Sequence, residues 1–67
     1  MKNQKTKNYF ESLTMEEKAN HIETIIDCMK FVYGETDEVK VKSEKLFELV
    51  KKLNNGINVS YEEYHQE

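Results

Sequence analysis

The sequence predicts an all-α protein: an antiparallel hairpin of two long helices with short helical elements at its N- and C-terminal ends. Three observations carry this. Apolar residues recur at helical spacing over Ile22, Ile25, Ile26, Met29, Val32 and Tyr33, and again over Val39, Leu46, Leu49, Val50 and Leu53. Both stripes follow the i, i+3, i+4, i+7 pattern of a helix with one buried face. Only Gly34-Glu35-Thr36-Asp37 joins the two helices, and long helices joined by so short a turn fold back on each other.

The elements follow in chain order. Residues 1–8, Met-Lys-Asn-Gln-Lys-Thr-Lys-Asn, are polar and basic without periodicity, and a disordered arm is expected there. Tyr9, Phe10 and Leu13 form an apolar cluster whose spacing suits one helical turn. Thr14-x-x-Glu17 is a capping box, which places the first long helix from about Met15. Neither Pro nor Gly interrupts it before Gly34, which supplies the left-handed conformation that stops a helix.

Thr36 or Asp37 is the expected N-cap of the second helix, and the acidic Glu35, Asp37 and Glu38 suit its positive end. Val39-Lys40-Val41-Lys42 alternates as a strand would, but the helical period running through to Leu53 outweighs four residues. Lys51 and Lys52 fall in the last turn, with Asn54-Asn55-Gly56 as the stop. Residues 57–67 form a short C-terminal element. Ile57-Asn58-Val59 reads as extended, and a second capping box, Ser60-x-x-Glu63, introduces a short helix over Tyr61 to His65.

Size and cysteine content narrow the options further. A chain of 67 residues is one domain near the lower limit of what folds alone, and chains of this size recruit disulfides, a metal or a partner. Cys28 is the single cysteine, so no internal disulfide forms, and a lone thiol suits a reducing cytoplasm. His21 and His65 lie far apart with no Cys or Asp arranged beside them, so no metal and no cofactor is expected. A partner remains: a homodimer closing a four-helix bundle is expected, with another protein as the binding partner. No apolar run approaches a membrane span and no hydrophobic segment follows the basic start. A cytoplasmic protein without a membrane partner is the expectation.

Charge and spacing weigh against two function classes. Thirteen acidic residues oppose ten basic ones, all lysine, for a net charge of −3; readers of nucleic acid lean on arginine for bidentate contacts. A DNA-binding helix-turn-helix is also a poor fit, because Lys30 and Lys40 occupy places where that motif buries apolar side chains. Cys28 and His21 are seven residues apart on one helix. About 10 Å of rise therefore separates them, too far for a thiolate–imidazole pair. Cys28 is expected as a half-buried small apolar residue, His21 as a flank or surface histidine, and no enzyme is expected.

The stretch from Ile22 to Leu53 is similar in spacing to the small Bacillus-type sporulation phosphatases that act on a response-regulator aspartyl phosphate. Their second helix carries Ser-Gln-Glu-Leu-Asp; this chain reads Ser43-Glu44-Lys45-Leu46-Phe47. The serine and leucine match, while a phenylalanine stands where the functional aspartate belongs. The resemblance covers about half the chain and implies the hairpin, not the phosphatase activity.

The surplus apolar residues carry the functional expectation. On a helical wheel Phe31 lies nearly opposite the centre of its stripe, Phe47 is off to one side, and Val41 is far round. Large apolar residues on an under-covered hairpin mark an interface, so Phe31, Phe47, Tyr9 and Phe10, with Cys28 on the flank, are the candidate partner-binding residues. The competing expectation is that Tyr9, Phe10, Leu13, Ile57, Val59, Tyr61 and Tyr64 fold over these faces within the chain. The favoured function is a small non-enzymatic regulatory or inhibitory protein, from a bacterial, phage or plasmid source, that docks an apolar helical face on another protein. The alternatives are a small nucleic-acid-associated regulator and a phosphatase-like hairpin. Lysines interspersed with glutamates cannot release counterions as a cationic cluster does. A gel-shift titration at physiological salt is therefore expected to show no duplex binding, and submicromolar binding with a steep salt slope would reverse that ranking.

Overall fold

The computed structural model describes the backbone of residues 2–65 and the side chains of residues 4–65. Four helices follow in order: α1 (Lys2–Glu11), α2 (Met15–Tyr33), α3 (Asp37–Asn54) and α4 (Tyr61–Tyr64), with no strand among the described residues. The long α2 and α3 pack side by side as a helical hairpin, while α4 touches both α1 and α3. The result is a slab of 32 × 31 × 17 Å.

Local signals set the helix boundaries. Thr14 accepts from Glu17 N–H at 3.1 Å, and the Glu17 carboxylate accepts from Thr14 N–H at 2.9 Å, closing the first capping box. Gly34 ends α2 with φ 74 and ψ −173. This differs from the left-handed helical conformation expected of it: φ stays positive while ψ swings to near 180°, a combination open essentially to glycine alone. Thr36, not Asp37, caps α3, accepting from Val39 N–H at 3.1 Å. The second capping box is complete as well, Ser60 and Glu63 exchanging bonds of 3.0 and 3.2 Å.

One element departs from expectation. Residues 2–8 are helical as part of α1, not a disordered arm; residues 1, 66 and 67 lie outside the described residues. The segment has no helix breaker, and Gln4 bonds Asn8 one turn on at 3.3 Å. Ser12 closes the far end by donating its hydroxyl to Tyr9 O at 2.7 Å. Tertiary contacts supply what propensity alone does not: Phe10 is 1% exposed within the core, and Lys7 meets Glu62 of α4 at 2.8 Å.

The core gathers Phe10 from α1, Ala19, Ile22 and Ile26 from α2, Val50 and Leu53 from α3, and Val59 and Tyr61 from the C-terminal segment. It occupies the base of the hairpin, away from the Gly34 turn. Of the expected stripes, Met29, Ile25, Leu46 and Leu49 are only half-buried, and Val32 and Tyr33 are exposed. The physical reason is length. At 1.5 Å per residue α1 extends about 15 Å and α4 about 6 Å, against about 28 Å for α2, so the short helices cover only part of the hairpin.

Within the core stands a charged residue. Lys18 is 1% exposed; its ammonium donates to Val59 O at 2.8 Å and Asn58 Oδ1 at 3.0 Å, lies 3.8 Å from Glu11 Oε1, and sits 5.0 Å above the Phe10 ring. The other Glu11 oxygen accepts from Tyr61 N–H, the first residue of α4, at 2.8 Å. Lys18 and Glu11 thus tie α1, α2 and the C-terminal segment at one point. Ser43, also buried, packs on the inner side of α3 with a hydroxyl that has no hydrogen-bond partner.

Opposite outcomes are expected at these two buried polar residues. Lys18→Met retains the apolar stem but orphans the Val59 carbonyl, for a loss of about 1–3 kcal/mol. Ser43→Ala removes only an unsatisfied hydroxyl and is expected to leave stability unchanged or raise it. Urea unfolding of both variants followed by circular dichroism checks the pair; a Lys18→Met midpoint equal to that of the unaltered chain would show the clamp to be dispensable.

Candidate functional site

The hairpin leaves a trough along the face that α1 and α4 cover only at the base. Ile25 and Met29 of α2 form one wall and Leu46 and Leu49 of α3 the other, with Tyr64 of α4 closing one end. The trough encloses about 600 Å³. Its apolar residues are half-buried, with one side against the facing helix and the other open to water. Along α3 the lining runs from Lys42 to Lys52, a rise of about 15 Å or nearly three helical turns.

The lip on the α3 side is charged. Lys42, Lys45, Glu48 and Lys52 line it, and Glu63 and His65 stand at the α4 end. Lys52 is engaged by Glu63 at 3.1 Å and Glu48 by Lys51 at 3.6 Å. Lys42 and Lys45 have no ion-pair or hydrogen-bond partner among the described residues, and both are exposed. The trough therefore carries a local positive lip on a chain whose net charge is −3.

The closed end is an aromatic cluster. Phe10 stacks on Tyr64 with ring centroids 4.6 Å apart, and Tyr61 meets Phe10 edge-on at 6.1 Å. His21 Nε2 shares a hydrogen bond of 3.3 Å with the Tyr64 hydroxyl. Burial pushes the Tyr64 phenol above its ordinary 10.0. His21, expected on a flank or at the surface, is half-buried at this edge of the core and also touches Tyr9, 6.2 Å away.

The residues singled out from sequence do not form one surface. Phe10 is a correction: it lies in the core and is unavailable to a partner, because α1 turns it inward against α2 and α4. Cys28 is a second correction, exposed instead of half-buried, since it falls on the outer side of α2, away from the α3 contact. Tyr9 is 58% exposed beside His21 at the base, while Phe31 is 91% exposed near the Gly34 turn. Phe31 stands two positions from Met29, and Phe47 two from Leu49. That offset is about 200° around the axis, which carries both rings away from the trough. About 12 Å of helix rise also separates Phe31 from Phe47. Val59 and Tyr61 do fold over the hairpin as the competing expectation held, but they cover its base and leave Phe31, Val41 and Phe47 exposed.

The trough residues themselves belong to the stripes that the sequence predicts to be buried. The available signal was the width of the stripes: Ile25 and Met29 lie to one side of the Ile22–Ile26 line, beyond what a single facing helix can bury. Lys18 stands four residues before Ile22 and eight before Ile26, directly on the apolar stripe, and that register is the one sequence signal of its burial. No family model, curated protein or solved structure matches this chain. No helix among the described residues is long and apolar enough to cross a membrane, and they contain no group of three His, Cys, Asp or Glu placed to hold a metal.

At the α4 end, Glu63 is held below the ordinary carboxylate value of 4.5 by the Ser60 backbone N–H and by Lys52, and Glu62 by its hydrogen bond to Lys7. A depressed folded-state value means these contacts stabilise the fold above 4.5 and are lost as pH falls through the folded values. Both groups are solvent-exposed, so the effect is small. The urea midpoint is expected to fall as the pH drops below about 4.5, with a shallower fall in a Glu62→Gln, Glu63→Gln double variant. Identical pH profiles for the two proteins would show that α4 docking does not depend on these charges.

Proposed function

We propose that this chain is a non-catalytic binding protein that engages another protein through the trough between α2 and α3. The observation that supports it is the continuous apolar floor of Ile25, Met29, Leu46 and Leu49, formed by the hairpin and left open by the short helices. An apolar groove between helices is the seat for a partner's amphipathic helix. Met29 adds a flexible, polarisable side chain that adapts to such a surface.

Several side chains of the kinds that catalysis draws on have structural occupations. Glu17 and Glu63 close capping boxes, Lys18 and Glu11 form the clamp, and Ser43 is buried between the long helices. A regulatory or inhibitory role suits a protein that works by occupying a partner's surface. In the dimeric form of this reading, a second copy seats in the trough and closes a four-helix bundle. The exposed Phe31 is a separate feature and extends the contact only if the partner wraps round the turn end.

A photo-crosslinking amino acid at Met29 tests the reading, with one at Asn20, on the exposed side of α2, as control. Irradiation in the native host is expected to give a covalent adduct at Met29 and none at Asn20. An adduct near twice the 8.0 kDa chain mass identifies a second copy; any other mass identifies a different partner. Equal yields from both positions, or none from either, would sink the assignment of the trough.

A further inference from the structure

Resting on that reading, we infer that the occupant of the trough is an amphipathic helix of a partner protein with acidic residues along the flank that faces α3. Three features point there. The floor is apolar and about three helical turns long, the footprint of a short amphipathic helix. Lys42 and Lys45 stand on its lip one turn apart, without an ion-pair partner among the described residues. Carboxylates spaced i, i+3 or i+4 on an incoming helix fall at matching intervals along that lip.

A second copy of this chain fits less well. The carboxylates that a facing trough would offer are Glu48 and Glu63, and both are engaged, by Lys51 and by Lys52 with the Ser60 N–H. Twofold pairing of two such troughs leaves four lysines, Lys42 and Lys45 from each copy, without a counter-charge in the contact. An acidic helix supplies one, and charge matching of this kind sets which partners are admitted and how fast they associate.

The test uses the full chain and two synthetic alanine-based helical peptides. One carries a leucine stripe flanked by glutamate, and the other has lysine in place of every glutamate. Affinity is read by fluorescence anisotropy, and the seat by NMR of the Met29 methyl and the Leu46 and Leu49 methyls. The glutamate peptide is expected to bind and shift these methyls, with the lysine peptide about tenfold weaker or worse. Lys42→Glu with Lys45→Glu, both at exposed positions, is expected to invert the order while leaving the helical spectrum unchanged. Equal affinities accompanied by methyl shifts would overturn the acidic partner and leave the trough as the binding site. Concentration-dependent methyl shifts in the chain alone, not displaced by the glutamate peptide, would give the trough to a second copy and overturn the inference. Binding without methyl shifts, or no binding by either peptide, would overturn the trough as well.

Discussion

The buried ammonium of Lys18 is the contact on which the base of the molecule depends. Placing a charge among Phe10, Ile22 and Val59 carries a desolvation cost that hydrophobic packing cannot offset. It is tolerated because the Val59 carbonyl, the Asn58 side chain, the Glu11 carboxylate and the Phe10 ring surround it. Each of those groups belongs to a segment with little hold of its own on the hairpin. Glu11 in turn satisfies Tyr61 N–H, one of the donors that a helix start leaves open. The long helices can pair through their apolar stripes alone; α1, the 58–59 segment and α4 are arranged around this one cation.

That arrangement decides where the apolar surface stays open. The clamp draws both ends of the chain to the first turns of α2 and the last turns of α3, where Phe10, Val59 and Tyr61 complete the core. Neither α1 nor α4 reaches further along the hairpin. The middle of the hairpin keeps its half-buried Ile25, Met29, Leu46 and Leu49, and the turn end keeps its exposed Phe31, Val32 and Tyr33. The trough is thus the remainder of a face that the chain covers only in part.

The parts legible in sequence were those governed by local chemistry. Both capping boxes, the start of α2 and the short α4 follow from side chains bonding backbone within a turn, and the end of α2 from the positive φ open to Gly34, all of which spacing reveals directly. The helical order of residues 2–8 in α1 was not legible, because it comes from Phe10 and Lys7 reaching partners far along the chain, and no local pattern records that. Phe10 was placed on the surface for the same reason. The apolar spacing puts Met29 and Leu46 in the stripes expected to be buried, but it is blind to how far a covering element extends. Lys18 is the instructive case: a lysine on an apolar stripe reads as an interruption of the pattern until its acceptors, about 40 residues away, are known.

The span of that clamp has a consequence for how the molecule opens. Lys18 reaches Asn58 across 40 positions and Glu11 reaches Tyr61 across 50, so closing these contacts means closing loops longer than half the 67-residue chain. Loop closure of that length is entropically unfavourable until the hairpin has already brought the ends near. The turn-linked α2–α3 pair, with its local contacts, forms without that requirement. α1 and α4 then join as one cooperative unit, because losing Glu11 from its place frees Tyr61 N–H and Lys18 together. Slow amide exchange across the inner turns of α2 and α3, beside faster and matched exchange in α1 and α4, is the signature such a two-tier assembly leaves.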